Sequence, residues 1–150
     1  MKKILAVLCI GILAMTIGCA SESQPLSQDP PVTITYNSAK SSYPYEYESE
    51  KGFMVEAPQG KRFALLYFEV ENKNCPKFAV RHFAFKMLAN QVQYDPYLYY
   101  GPYELKDVDL LPGGKTEGYV IFIINDEDME SPSWDYEAIS SACAIRAERK

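Results

Sequence analysis

Four cysteines and one histidine are the residues of this chain best suited to catalysis or metal binding. The cysteines are Cys9, Cys19, Cys75 and Cys143. A thiolate can act as a nucleophile or a soft metal ligand, and a pair of thiols can close a disulfide. A nucleophilic cysteine needs a base beside it. The one histidine, His82, sits in an apolar run with no sequence link to any cysteine. A blue-copper site takes two histidines and a cysteine, and a catalytic zinc takes three protein ligands, commonly histidines. One histidine supplies neither set. No Gly-x-Ser-x-Gly elbow is present for a serine hydrolase. These residue types predict a protein that is not an enzyme and needs no cofactor.

Oxygen donors are more plentiful. Asn125-Asp126-Glu127-Asp128-Met129-Glu130 follows a strand-like run. Calcium takes six to eight oxygens, which makes Asp126, Asp128 and Glu130 its candidate ligands. EF-hand spacing is missing, and a plain solvated acidic loop is the competing reading. Glu46, Glu48 and Glu50 form a looser set, alternating with Tyr45 and Tyr47.

The densest feature is Tyr94-Asp95-Pro96-Tyr97-Leu98-Tyr99-Tyr100-Gly101-Pro102-Tyr103, in which five of ten residues are tyrosines. Two prolines and a glycine predict a loop. Exposed tyrosines combine rigid apolar area with a polar tip, which suits protein interfaces and sugar stacking. Tyr94, Tyr97, Tyr99, Tyr100 and Tyr103 are therefore a candidate interaction surface for a surface protein or a glycan. The alternative is that the rings cover the loop and cap the core. Tyr43, Tyr45 and Tyr47 cluster separately around Pro44.

The N-terminus predicts an address. Met1-Lys2-Lys3 is basic, and the apolar stretch from Ile4 to Ile17 is fourteen residues long. A bilayer span takes about 20 residues, so the stretch fits a signal-peptide core instead. Met15-Thr16-Ile17-Gly18-Cys19 resembles the bacterial lipobox, with Thr16 where leucine is usual. That resemblance implies a signal peptide over residues 1–18 and a thioether-linked diacylglycerol on Cys19. Two acyl chains anchor stably, at about 0.8 kcal/mol per buried methylene. Membrane lipid is then a partner through Cys19, and the location is extracytoplasmic, on the cell envelope. A plain secretory signal, with Cys19 a spare thiol, is the alternative. Residues 19–31, polar and proline-bearing, read as a flexible tether.

Cys9 would leave with the signal peptide. Cys75 and Cys143 then remain in an exported domain, which favours a disulfide between them. Closing a loop of about 70 residues contributes roughly 4 kcal/mol in the chain-entropy treatment. Two separate thiols are the alternative at a reducing surface. The net charge is −5, and loss of Lys2 and Lys3 deepens it by two. That balance argues against nucleic acid and against a polybasic grip on anionic lipid.

Period-2 patterning sets the elements that must position these residues. Val32, Ile34 and Tyr36 alternate with threonines. From Phe63 to Asn72, Ala64, Leu66, Phe68 and Val70 share one face. Val80 to Leu88 predicts a strand with Phe83, Phe85 and Met87 on one face, against His82, Ala84 and Lys86. Asn90-Gln91 reads as a turn into Val92 to Tyr94. Gly118 to Ile124 is apolar on both faces, as in a central strand or one paired deep in a sandwich. Trp134 and Tyr136 start a last strand, and a stretch near Cys143 and Ile145 pairs with it or, from Ala138 to Arg149, forms a helix. Short strands between Pro, Gly and Asn turns predict one all-β domain over residues 32–150, a β-sandwich.

Three stretches carry a resemblance to a family. They are Gly60 to Lys73 (GKRFALLYFEVENK), Phe83-Ala84-Phe85 with the turn leading to Tyr94, and Leu111-Pro112-Gly113-Gly114 with Gly118 to Phe122. Together they resemble the DUF4352 group of surface lipoproteins, over roughly residues 32–125. The resemblance implies an MPT63-like, immunoglobulin-like β-sandwich. It implies no activity, catalytic residue or cofactor. The family pattern Leu-x-Pro-Gly-x-x-x-x-Gly-x-x-x-Phe takes its leucine from Leu110, with Leu111 directly before Pro112, and the tyrosine-rich stretch and the two cysteines lie outside the pattern.

Overall fold

A computed structural model describes residues 29–129, 133–138 and 143–150. Cys19, Glu130 and most of the tether lie outside the described residues. In chain order the strands are β1 (Val32–Ser42), β2 (Glu46–Glu48), β3 (Met54–Glu56), β4 (Lys61–Asn72), β5 (Phe78–Val80), β6 (Phe85–Ala89), β7 (Val92–Tyr94), β8 (Val108–Leu110), β9 (Lys115–Asn125), β10 (Ser133–Tyr136) and β11 (Ile145–Arg149). Two short 3-10 turns, His82–Ala84 and Asp126–Met129, interrupt them.

The main layer is a four-stranded sheet in the order β11-β1-β4-β9. Its spine is the antiparallel pair β4–β9, in register from Lys61↔Asn125 to Glu71↔Lys115. The facing layer is the sheet β10-β6-β7, with the pair β5–β8 beside it. The result is an all-β sandwich. Its principal core is built by period-2 alternation. Val32, Ile34 and Tyr36 of β1, Ala64, Leu66, Phe68 and Val70 of β4, and Val120, Phe122 and Ile124 of β9 all point inward. Phe78, Phe85, Met87 and Tyr136 meet them from the other layer.

Asn72, at the end of β4, is fully buried. Its Nδ2 donates to the carbonyls of Cys75 and Leu110, each at 2.8 Å, and its Oδ1 accepts the Cys75 N–H at 2.8 Å. A buried amide with every near partner satisfied ties three segments together. Beside it Cys75 and Cys143 form a disulfide of 2.07 Å, which fastens the chain just ahead of β11.

Three sequence expectations change. The strand over Val80 to Leu88 is broken by the 3-10 turn His82–Ala84. The His82 N–H donates to Asp107 Oδ1 and the Ala84 N–H to Arg81 O, which bends the chain out of the sheet. Alternation restarts after the turn, so Phe83 is exposed and Ala84 buried, while Phe85 and Met87 stay inward. The C-terminal segment is strand rather than helix, and it pairs with β1, not with β10. That pairing is parallel, Val32↔Ile145 to Tyr36↔Arg149. Finally, of the two readings of β9, the central place is not taken: the strand ends its sheet, while both its faces are packed. It is apolar on both faces because a second, smaller core lies behind it.

Candidate functional site

The second core packs on the outward face of β4 and β9. Phe63, Leu65 and Ile121 supply its floor, and Tyr47 and Tyr99 close it from above. Tyr47 comes from the β2–β3 hairpin, with its ring 5.0 Å from Phe63 in edge contact and 5.1 Å from Tyr99. Tyr99 comes from the tyrosine-rich stretch. Hairpin and stretch are joined where the Glu50 N–H donates to Tyr100 O at 2.8 Å.

The stretch from Tyr97 to Leu105 lies along the open edge of β9. The Tyr97 N–H donates to Ile121 O at 2.8 Å, the Tyr119 N–H to Tyr103 O at 2.7 Å, and the Leu105 N–H to Tyr119 O at 2.9 Å. Covering a sheet edge in this way satisfies its backbone groups and blocks pairing with other chains. Two glycines allow the close approach. A Cβ on Gly101 would stand 2.2 Å from the Tyr99 ring, and one on Gly118 2.6 Å from Leu105 N.

The five tyrosines therefore have different fates. Tyr99 is only 8% exposed, so it belongs to the small core and not to an open surface. Burial first, then the neighbouring Tyr119 and Tyr47, push its phenol up to about 12. Tyr94 is half-buried, and its hydroxyl donates to Asp128 Oδ2. Tyr97, Tyr100 and Tyr103 are exposed, Tyr103 at 76%. Tyr103 also has a φ of +61°. A bulky L-residue in the left-handed region is strained, and such strain collects at functional positions.

The ridge from Tyr100 to Glu104 separates two hollows. The larger, about 470 Å³, lies between ridge and hairpin, where Phe53, Val55, Tyr99 and Tyr100 supply apolar walls and Glu50 and Glu104 supply carboxylates. The smaller, about 250 Å³, is lined by Lys40, Tyr67, Tyr103 and Tyr119. Phe53 and Met54, at the hairpin tip and in β3, are exposed apolar neighbours that local sequence did not single out. The signal for them was the glutamate–tyrosine alternation of β2, which marks a ribbon with one wet and one packed face.

Among the described residues of the acidic run, Asp126 and Asp128 do not converge on one site. The 3-10 turn sends its carboxylates to separate partners. Asp126 pairs with Arg62 Nε at 2.9 Å, and the same guanidinium donates to the Tyr45 hydroxyl. Asp128 is 3% exposed and accepts from Asn90 Nδ2 at 2.8 Å, Asn125 Nδ2 at 3.0 Å and Tyr94. Those donors, Tyr94 foremost, hold its carboxyl below the usual range. All three of these donors come from the domain itself, and Glu130, the third candidate of the run, lies outside the described residues. Among the described residues no group of three or more His, Cys, Asp or Glu side chains is placed to hold a metal. His82 Nδ1 lies 2.8 Å from Asp107 Oδ1, on the far layer from the hollows.

Comparison with known proteins adds little to this geometry. No family model matches the chain, and no curated protein does. The DUF4352 resemblance thus rests on its quoted motifs alone. Among solved structures, the chain is similar to ycdA of Bacillus subtilis subsp. subtilis str. 168, provisionally assigned as a lipoprotein, with 10% identity and a TM-score of 0.43. The match covers 64% of this chain and 34% of that one, so this chain spans about a third of the length of that protein. At this level no residue role passes between the two.

Proposed function

We propose that this chain is a lipid-anchored protein of the cell envelope, held through Cys19, whose sandwich acts as a non-enzymatic interaction module. The observation that carries the reading is the exposed apolar set Phe53, Tyr100 and Tyr103, which line the two hollows, with Tyr97 exposed on the same stretch. An exposed tyrosine held at positive φ is strained, which favours a functional role for its ring, and aromatic anchors beside a hollow are what protein interfaces use. The lipobox-like Met15 to Cys19 supplies the address. A tether of about a dozen residues, at roughly 3 Å each when extended, lifts the module off the membrane.

The test is cross-linking on intact cells of the native host, comparing wild type with Tyr100→Ala/Tyr103→Ala. Reproducible protein adducts that disappear in the variant, with its melting temperature kept, are the expected result. Adducts that do not change would remove the ridge from the reading. Cys19→Ala should release the protein from the membrane fraction, and retention there would overturn the anchor.

A glycan is the second reading. Glu50 and Glu104 beside the rings of Tyr99 and Tyr100 favour it, because carboxylates can accept sugar hydroxyls while aromatic faces stack. It predicts a saturable rise in melting temperature with soluble sugars. A flat response across a broad panel would dispose of it.

A further inference from the structure

We infer that the outer edge of β11 pairs with the β11 edge of a second copy of this chain, antiparallel and across a two-fold axis at Ala147. This surface is separate from the tyrosine ridge, and the inference does not depend on the role given to that ridge.

The main sheet has two ends, β9 and β11. The β9 edge is covered by the stretch from Tyr97 to Leu105, whereas among the described residues no backbone bond or bridge reaches the outer edge of β11. The phase of the parallel β1–β11 pair tells which groups are left over. The Lys150 N–H donates to Tyr36 O at 2.8 Å, and the Lys150 carbonyl accepts the Ser38 N–H at 3.0 Å. In a ladder the backbone groups of alternate residues turn to the same side. Arg146 and Glu148 therefore face β1 as Lys150 does, opposite Thr33 and Thr35. Ile145, Ala147 and Arg149 turn their N–H and C=O groups outward. Such a row is a template for another strand.

The sequence of the edge says which strand fits. A closed dimer needs an edge that matches its own reverse, and Ile145-Arg146-Ala147-Glu148-Arg149 does so about Ala147. In that register Ala147 meets Ala147 of the second copy, and Ile145 meets Arg149. These are the residues whose backbone groups point outward, so each meeting is a hydrogen-bonded pair and no outward group is left over. Arg146 then falls opposite Glu148 on both sides of the axis, in the closer, non-hydrogen-bonded positions. Opposite charges directly across two strands stabilise the pair. Moving the axis to Arg149 sets two guanidiniums against each other, and moving it to Ile145 leaves Arg146 opposite Ala144.

Nothing in the fold competes strongly for these groups. Arg146, Ala147, Glu148 and Arg149 are exposed. Within one copy Arg146 lies 3.3 Å from Asp29 and 3.8 Å from Glu148, surface pairs of a kind that contribute little. Charged side chains usually guard an edge against any other strand. Here the alternation of sign rejects unlike edges and admits its own reverse. The methyl group of Ala147 leaves the axis clear.

Oxidative trapping of the purified full-length protein in detergent tests this. Hydrogen-bonded antiparallel neighbours stand about 5.5 Å apart at Cα, inside the span of about 4.4–6.8 Å that a disulfide takes. Ala147→Cys should give a covalent dimer on a non-reducing gel, above the background set by wild type. Lys51→Cys, at the exposed hairpin tip, should not. Adding Arg146→Glu to Ala147→Cys places like charges opposite each other twice and should lower the trapped fraction about tenfold. Adding Glu148→Arg as well re-forms both pairs in reverse and should restore trapping, with the melting temperature kept through the series. Tyr100→Ala/Tyr103→Ala should leave trapping by Ala147→Cys unchanged. No dimer from Ala147→Cys overturns the inference. Equal trapping by Lys51→Cys overturns it too, because it marks random collision. Trapping that ignores Arg146→Glu, or that Glu148→Arg does not restore, removes the register and the inference with it. Trapping lost with the two tyrosines places the contact at the ridge and overturns the edge pairing.

Discussion

The two faces of β4 support two different structures. On the inward face, Ala64, Leu66, Phe68 and Val70 meet side chains from both layers, and the chain segments they join are far apart in sequence. On the outward face, Phe63 and Leu65 are covered by a short two-stranded ribbon and a loop, and farther along Glu69 and Glu71 are half-buried and pair with lysines. One strand thus anchors a core that many elements share and a core that two small pieces close. Stability is expected to be unequal between them, and binding surfaces are drawn from the weaker side. The exposed Phe53, Tyr97 and Tyr100 and the strained Tyr103 sit on that side.

Truncation in the large core should show the greatest effect. Phe68 is fully buried and contacts the rings of Tyr36, Phe85 and Trp134. Phe68→Ala is expected to destabilise by about 3–5 kcal/mol, read as a loss of urea midpoint with the transition still single. Next comes the disulfide: Cys75→Ser/Cys143→Ser should lose about 2–4 kcal/mol and speed amide exchange in Ile145–Arg149, which the bridge holds against β1. Tyr99→Ala should cost about 2 kcal/mol, because the hairpin can relax and water can enter. Its distinguishing mark is local. The Glu50 amide, bonded to Tyr100 O, exchanges faster while the amides of β1 keep their protection. Equal deprotection of both regions would mean that the two cores unfold together.

Acid separates the regions in another way. Asp128 staples β7 to the end of β9 through Tyr94, Asn90 and Asn125, whose hydrogen bonds hold its carboxyl below the usual carboxylate range. A depressed folded pKa stabilises the fold above the unfolded value, and that contribution is lost as pH falls through the folded pKa. The melting temperature should therefore decline below about pH 4. In Asp128→Asn the decline should be shallower, since nothing titrates at that position. Parallel curves for the two proteins would show that the staple contributes no pH dependence.

Much of the sandwich was legible because period-2 alternation is enforced wherever one face is buried. β1, β4 and β9 are long enough for that pattern to dominate. Local pattern failed where a single turn shifts the phase, as at His82–Ala84, or where partners are distant, as for the parallel β1–β11 pair. The candidate site was legible as composition but not as geometry. Five tyrosines of one type divide into packed and exposed ones by their register against β9, which no neighbouring residue encodes. The acidic run shows the same limit: it reads as a string of oxygen donors after a strand, and only the 3-10 turn directs Asp126 towards Arg62 and Asp128 towards Tyr94.

The smallest effect sharpens the comparison most, because its two readouts should move in opposite directions. Tyr103 holds φ at +61° while its carbonyl accepts the Tyr119 N–H that fixes the ridge to β9. Glycine adopts that backbone freely, and the exposed ring contributes little packing to either core. Tyr103→Gly should keep the backbone bond and relieve the strain, which outweighs the added chain entropy. A gain of about 0.5–1 kcal/mol is expected by thermal melting. The same change should reduce partner cross-linking. Stability gained as binding is lost marks a residue retained for function against the preference of the fold. Stability lost with binding unchanged would mean instead that the ring is part of the small core, and that the surface begins at Tyr100.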